Sequence, residues 1–178
     1  MGAVLTPASM PAWLVADLRS DQAGETGAVW IYRGVLALGR DPALRDFARR
    51  HLATEQRHLA LIDTCLPPGD RSRLLPLWRV AGWLTGALPA LFGPRAVYAT
   101  IAAVETFVDR HYQEQVDRLA AEPGWAPLRE LLDGCREDEV AHRDEAAGHA
   151  GPPGALMRAW SWVVGAGSSV AVKVCRHV

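Results

Sequence analysis

Read for the rhythm of apolar and polar positions, the chain divides into segments that suit helices, and no run alternates residue by residue for long enough to argue for a sheet. The expected class is all-α. Helices are expected at roughly 11–38, 42–65, 73–92, 95–121, 125–148 and 154–175. Breakers set these limits. Gly39-Arg40-Asp41-Pro42 ends the first helix and opens the second, with Asp41 as N-cap and Pro42 at the first helical position. Pro67-Pro68-Gly69-Asp70, Gly93-Pro94, Pro123-Gly124 and Gly151-Pro152-Pro153-Gly154 mark the later joints. Loops this short imply that consecutive helices run antiparallel.

Two of the six segments are unlike the others. From Leu74 to Ala102 the only charged residues are Arg79 and Arg95, and Trp78 and Trp83 stand among leucines, alanines and glycines. Val80 to Pro94 is uncharged, yet it is shorter than the ~20 residues a membrane span needs and it contains Pro89. The last segment is similar, with Trp160 and Trp162 near its start and Lys173 and Arg176 near its end. Apolar helices with tryptophans at the boundary and basic residues beside them suit a membrane surface. The plainer alternative is a pair of buried core helices.

Composition narrows the possibilities. A chain of 178 residues suits one domain with a sizeable core. Its net charge of −1, without long blocks of one sign, gives no footprint for nucleic acid. Cys65, Cys135 and Cys175 are odd in number, scattered and without metal-ligand spacing, which suits buried thiols in a reducing compartment. No basic segment followed by an apolar one opens the chain, so export is not expected. Met1-Gly2-Ala3-Val4-Leu5-Thr6 matches the N-myristoylation pattern in form only.

The chemistry lies in two Glu-x-x-His motifs, Glu55-Gln56-Arg57-His58 and Glu139-Val140-Ala141-His142. Residues three apart on a helix face nearly the same way, so each motif offers a carboxylate and an imidazole to one point. One such motif arises readily by chance. Each, however, follows a glutamate on the preceding long helix: Glu25 stands 55 − 25 = 30 residues before Glu55, and Glu105 stands 139 − 105 = 34 before Glu139. The chain therefore reads as two halves, each a Glu followed by Glu-x-x-His, which is the ligand set of ferritin-like dinuclear carboxylate bundles. Four carboxylates balance two divalent ions, and oxygen donors with two imidazoles favour iron or manganese, of which iron is redox-active. Glu55 and Glu139 are expected to bridge the ions, and Asp138 is a candidate acceptor for an imidazole N–H.

These residues resemble the demethoxyubiquinone hydroxylases, the Coq7 family of ubiquinone biosynthesis. The first motif of that family is similar to Asp21-Gln22-Ala23-Gly24-Glu25-Thr26-Gly27-Ala28-Val29-Trp30-Ile31-Tyr32-Arg33-Gly34, and the second to Glu55-Gln56-Arg57-His58-Leu59. The third resembles Val104-Glu105 with His111-Tyr112, and the fourth Arg136-Glu137-Asp138-Glu139-Val140-Ala141-His142, while Pro76-Leu77-Trp78 and Gly82 are similar to its hydrophobic third helix. The resemblance implies a ferritin-like bundle with two added apolar helices at a membrane. It implies two iron ions on Glu25, Glu55, His58, Glu105, Glu139 and His142, and O2-dependent hydroxylation of a long-tailed demethoxyubiquinol.

His111 and Tyr112 match residues proposed there to serve substrate binding or electron transfer, although a packed aromatic pair is an equal reading of them. Thr106 and Arg110 depart from the family pattern without removing a ligand. NADH and the quinol itself are the candidate electron sources, and NADH would act without a dedicated nucleotide domain, since Gly165-Ala166-Gly167 lies within an apolar helix. The remaining expectations are peripheral attachment to a membrane, on the cytoplasmic face of the plasma membrane if the source is bacterial, and a homo-oligomer or a lipid-binding accessory protein. Rival readings are a ferroxidase or iron-storage bundle, a hydroxylase of a different membrane quinone, and a membrane module that has lost its metal.

Overall fold

The structure, a computed structural model, describes residues 10–152 and 154–178, so the Met1–Thr6 acylation pattern lies outside the described residues. Among these residues stand six α-helices and no strand: α1 (Ala12–Leu38), α2 (Pro42–Cys65), α3 (Leu75–Ala90), α4 (Pro94–Ala120), α5 (Ala126–Ala150) and α6 (Ala155–Cys175). The class is the expected all-α, ferritin-like one, with two pairs of long helices and one apolar helix after each pair. Observed helix ends fall within two residues of the expected ones. The breakers explain that agreement. Asp41 caps α2 by accepting a hydrogen bond from the Leu44 amide at 2.8 Å, with Pro42 following it.

The chain forms two compact units, residues up to Leu88 with Val170–Val178, and Pro89–Ser169. In the first, α1 and α2 are antiparallel. Arg45 Nη1 donates to the carbonyls of Leu36 and Gly39 at 2.6 and 2.9 Å, while at the other end Gln22 Nε2 donates to Asp63 Oδ1 at 3.2 Å. Leu14, Leu18, Tyr32, Val35, Leu44, Phe47 and Ile62 fill the space between with buried apolar volume.

Helix α3 inverts the usual amphipathic rule. A Cβ on Gly82 would collide with the carbonyl oxygen of Gly27, and one on Gly86 with that of Ile31, so α3 meets α1 backbone to backbone. Four aliphatic side chains point away: Leu77, Val80, Leu84 and Leu88 are 41–58% exposed, and their spacing of three and four residues makes one stripe. Close backbone approach explains the glycines. Burial does not explain the leucines.

In the second unit α4 and α5 are also antiparallel. Arg95 Nε donates to the Ala150 carbonyl at 3.3 Å, and the rings of Tyr98 and His149 stack with centroids 4.8 Å apart. Gly93 (φ 98°) precedes α4 and Gly151 (φ 67°) follows α5, both in the left-handed region that favours glycine. Trp160 Nε1 of α6 donates to Thr100 Oγ1 at 2.8 Å, whereas Leu156, Trp162 and Val163 face outward. No described helix is long and apolar enough to cross a membrane. All three cysteines are buried and none is disulfide-bonded, and burial pushes the Cys65 and Cys175 thiols above their ordinary range.

The glycine seam makes a direct prediction. Gly86→Ala should cost roughly 1–3 kcal/mol of stability through overpacking, read by thermal or urea unfolding. Gly134→Ala, where nothing lies within 4 Å of the added Cβ, should be neutral or stabilising by about 1 kcal/mol through helix propensity. Equal effects at the two sites would refute the seam.

Candidate metal centre

Each helix pair delivers one glutamate from its first helix and a Glu-x-x-His turn from its second. In the first unit Glu25 projects from α1, and Glu55 and His58 lie one turn apart on α2. Their ligand atoms lie within 4.8 Å of one another. His58 Nδ1 stands 3.8 Å from Glu25 Oε2 and 4.0 Å from Glu55 Oε2, too far for hydrogen bonds and close enough to surround an ion. Antiparallel packing makes this possible, because it sets the middle of α1 against the second half of α2.

The second unit repeats the arrangement. Glu105 projects from α4, and Glu139 and His142 from α5, again with ligand atoms within 4.8 Å of one another. Here His142 Nδ1 and Glu139 Oε2 are 3.1 Å apart, so one turn of helix already joins the imidazole to the carboxylate. All six expected ligands are 1–6% exposed. A buried carboxylate is costly unless charge or hydrogen bonds compensate it. Each triad carries two carboxylates and one imidazole, a donor set whose two formal negative charges match one divalent ion and whose oxygen and nitrogen donors suit iron or manganese. The buried Glu and His clusters can therefore hold metal.

Around the triads lie groups of unequal legibility. His111 and Tyr112 are both buried on α4. His111 Nε2 is 3.1 Å from Gln115 Nε2, and its ring is parallel to that of Phe107 at 6.0 Å, so His111 is held by a polar partner and an aromatic face. Asp138, the suggested imidazole acceptor, is half-buried beside Glu139. Gln115 was not anticipated, nor was the cluster of Tyr32, Phe47 and His51, in which the His51 ring lies 4.0 Å from Phe47 and stacks on Tyr32 at 5.8 Å. One signal was present in the sequence: Tyr32 follows Glu25 by seven residues, as Tyr112 follows Glu105.

Comparison with known proteins shows what the chain is similar to. The family model described as Ubiquinone biosynthesis protein COQ7 matches residues 12–175. A 3-demethoxyubiquinol 3-hydroxylase of Rhodospirillum rubrum is 41% identical over 165 residues, covering 90% of this chain and 76% of that protein. The 5-demethoxyubiquinone hydroxylase of Saccharomyces cerevisiae, mitochondrial, is 34% identical over 157 residues, covering 78% and 66%. The NADPH-dependent 3-demethoxyubiquinone 3-hydroxylase of Caenorhabditis elegans, also mitochondrial, is 27% identical over 177 residues, covering 97% and 95%.

If the triads are arranged for cations, Glu55→Gln and Glu139→Gln should have opposite effects with and without metal. Removing a buried charge should leave the metal-free protein as stable or raise its unfolding temperature by roughly a few degrees. Affinity for Co(II), titrated without oxygen, should fall at least ~10-fold. Variants that lose stability without metal and keep their affinity would contradict a metal role.

Proposed function

Since the chain belongs to the ubiquinone biosynthesis protein COQ7 family, we propose that it is a di-iron monooxygenase that hydroxylates the ring of a long-tailed demethoxyubiquinol. The observation that carries this reading is the repeated buried triad: two carboxylates and an imidazole from each helix pair. In this reading Glu25, Glu55, His58, Glu105, Glu139 and His142 would together hold two iron ions. Bound iron would supply the reductive activation of dioxygen, which by itself reacts poorly with an aromatic ring.

The residues of the chain have definable tasks. Glu25, Glu55, Glu105 and Glu139 supply charge that favours cations, and His58 and His142 supply nitrogen donors that do not add to it. The buried setting keeps bulk water from competing for the same positions. His111, oriented by Gln115 and Phe107, offers a ring nitrogen at which a proton can be held, and Tyr112 offers a phenol beside it. One oxygen atom of O2 enters the ring C–H bond as hydroxyl and the other leaves as water, with two electrons from a reductant and two protons. A nicotinamide nucleotide is the proposed source, as the name of the C. elegans relative suggests.

The substrate tail keeps the substrate in a bilayer, and the outward leucines of α3 and the exposed Leu156 and Trp162 of α6 suit peripheral attachment there. For a bacterial protein the proposed location is the cytoplasmic face of the plasma membrane, as a homo-oligomer or with a lipid-binding partner. The exposed stripe favours a membrane quinone over iron storage. A storage bundle has no use for it.

Two outcomes are expected. Expressed in cells blocked at demethoxyubiquinone hydroxylation, the chain should restore the hydroxylated product by lipid chromatography, and Glu139→Ala should lower it by at least ~100-fold. Restoration by the variant would refute the proposed site. Phe92, 83% exposed beyond the end of α3, should contribute to attachment, so Phe92→Ser should weaken co-sedimentation with phospholipid vesicles about 10-fold. Unchanged binding would argue against a bilayer at that surface.

A further inference from the structure

The internal repeat lets the two units be compared position by position around their triads. One turn after Glu25 stands Val29, and one turn after Glu105 stands Asp109. Three residues before Glu55 is Leu52, whereas three before Glu139 is Arg136. Directly after His58 comes Leu59, and directly after His142 comes Arg143. The same three places therefore hold an apolar trio in the first unit and an ionic trio in the second.

That ionic trio is connected. Arg136 Nη1 donates to Asp109 Oδ1 at 3.2 Å, and Arg143 Nη1 donates to Asp109 Oδ2 at 2.7 Å, so each carboxylate oxygen takes one arginine. The two arginines are seven residues apart on α5, about 10.5 Å along the axis, and Glu139 and His142 lie between them in the chain. Each guanidinium is also held by an acid on its own helix, Arg136 Nε by Asp133 at 3.0 Å and Arg143 Nε by Asp144 at 2.9 Å. Hydrogen bonds to Asp133 and Asp144, supported by Asp109, raise both guanidinium pKa values further. Asp109 is 20% exposed and the arginines 23% and 28%, so water screens the network only in part.

We propose that Asp109 is a positioning residue for the second metal triad, clamping the ligand-bearing stretch of α5 against α4 through Arg136 and Arg143. The inference rests on the reading of the triads as metal ligands. Geometry supplies the reason: a slide or rotation of α5 that moved Glu139 and His142 relative to Glu105 would break both hydrogen bonds of one carboxylate together. Apolar side chains, as at Val29, Leu52 and Leu59, resist such a slide less specifically, because packing contacts are not directional. Metal ligands need distances correct to about 0.2 Å, so a directional clamp beside them has a use beyond general stability.

The test uses Co(II) as a spectroscopic probe in the full chain, titrated without oxygen into wild type, Asp109→Asn and Asp109→Glu. Wild type should bind two ions per chain. Asp109→Asn should bind one of them about 10-fold more weakly and shift its visible absorption, while circular dichroism shows an unchanged helix content. Asp109→Glu should recover most of the affinity. If Asp109→Asn does not fold, Arg143→Met, which leaves the Arg136 hydrogen bond in place, carries the same readout. Affinities and spectra like those of wild type in these variants, whatever their unfolding temperatures, would overturn the clamp and leave the metal reading intact. Wild type that binds no Co(II) would overturn both.

Discussion

Glu25, Glu55, Glu105 and Glu139 are carboxylates held away from water, and such groups persist in a protein interior only where neighbouring donors or cations offset their lost hydration. Much else in the fold follows from this. Long antiparallel pairs are needed to carry a glutamate on one helix past a Glu-x-x-His turn on the next. A buried imidazole within 4 Å of a carboxylate then appears in each unit, from one turn of helix and one neighbouring strut. Metal attraction and the cost of burial are here two aspects of the same electrostatics.

Legibility in the sequence followed the range of the interactions involved. Asp41-Pro42, Gly93-Pro94 and Gly151 act within a few residues, so helix ends could be read directly. The triads were legible because the ligand spacing of a helix turn is itself local and because the pattern occurs twice. The COQ7 family match spans residues 12–175 and so covers both motifs. What stayed hidden was set by side chains meeting across helices. Nothing in Phe107, His111 and Gln115 as a string shows that one ring faces another while an amide meets the imidazole. Nor does Asp109, one acid among many on polar helix faces, reveal that two arginines of another helix converge on it.

The third helix shows how an apolar run can mislead in detail while being right in character. Its glycines, which cost helix stability, are placed where the α1 backbone comes too near for any side chain. Its leucines, which a core would ordinarily claim, lie outside. A hydropathy plot sees one uninterrupted greasy segment. The structure separates it into a glycine edge against α1 and an outward stripe of Leu77, Val80, Leu84 and Leu88, and that stripe is exposed.

Each triad also comes from a contiguous helical hairpin, Glu25 to His58 and Glu105 to His142. Contacts so close in sequence involve short loop closures and form early. During synthesis the first set of donors is therefore complete once α2 has left the ribosome, before α4 has been made. The order of the buried donors along the chain is thus a schedule as well as a geometry, those of α1 and α2 being made before those of α4 and α5.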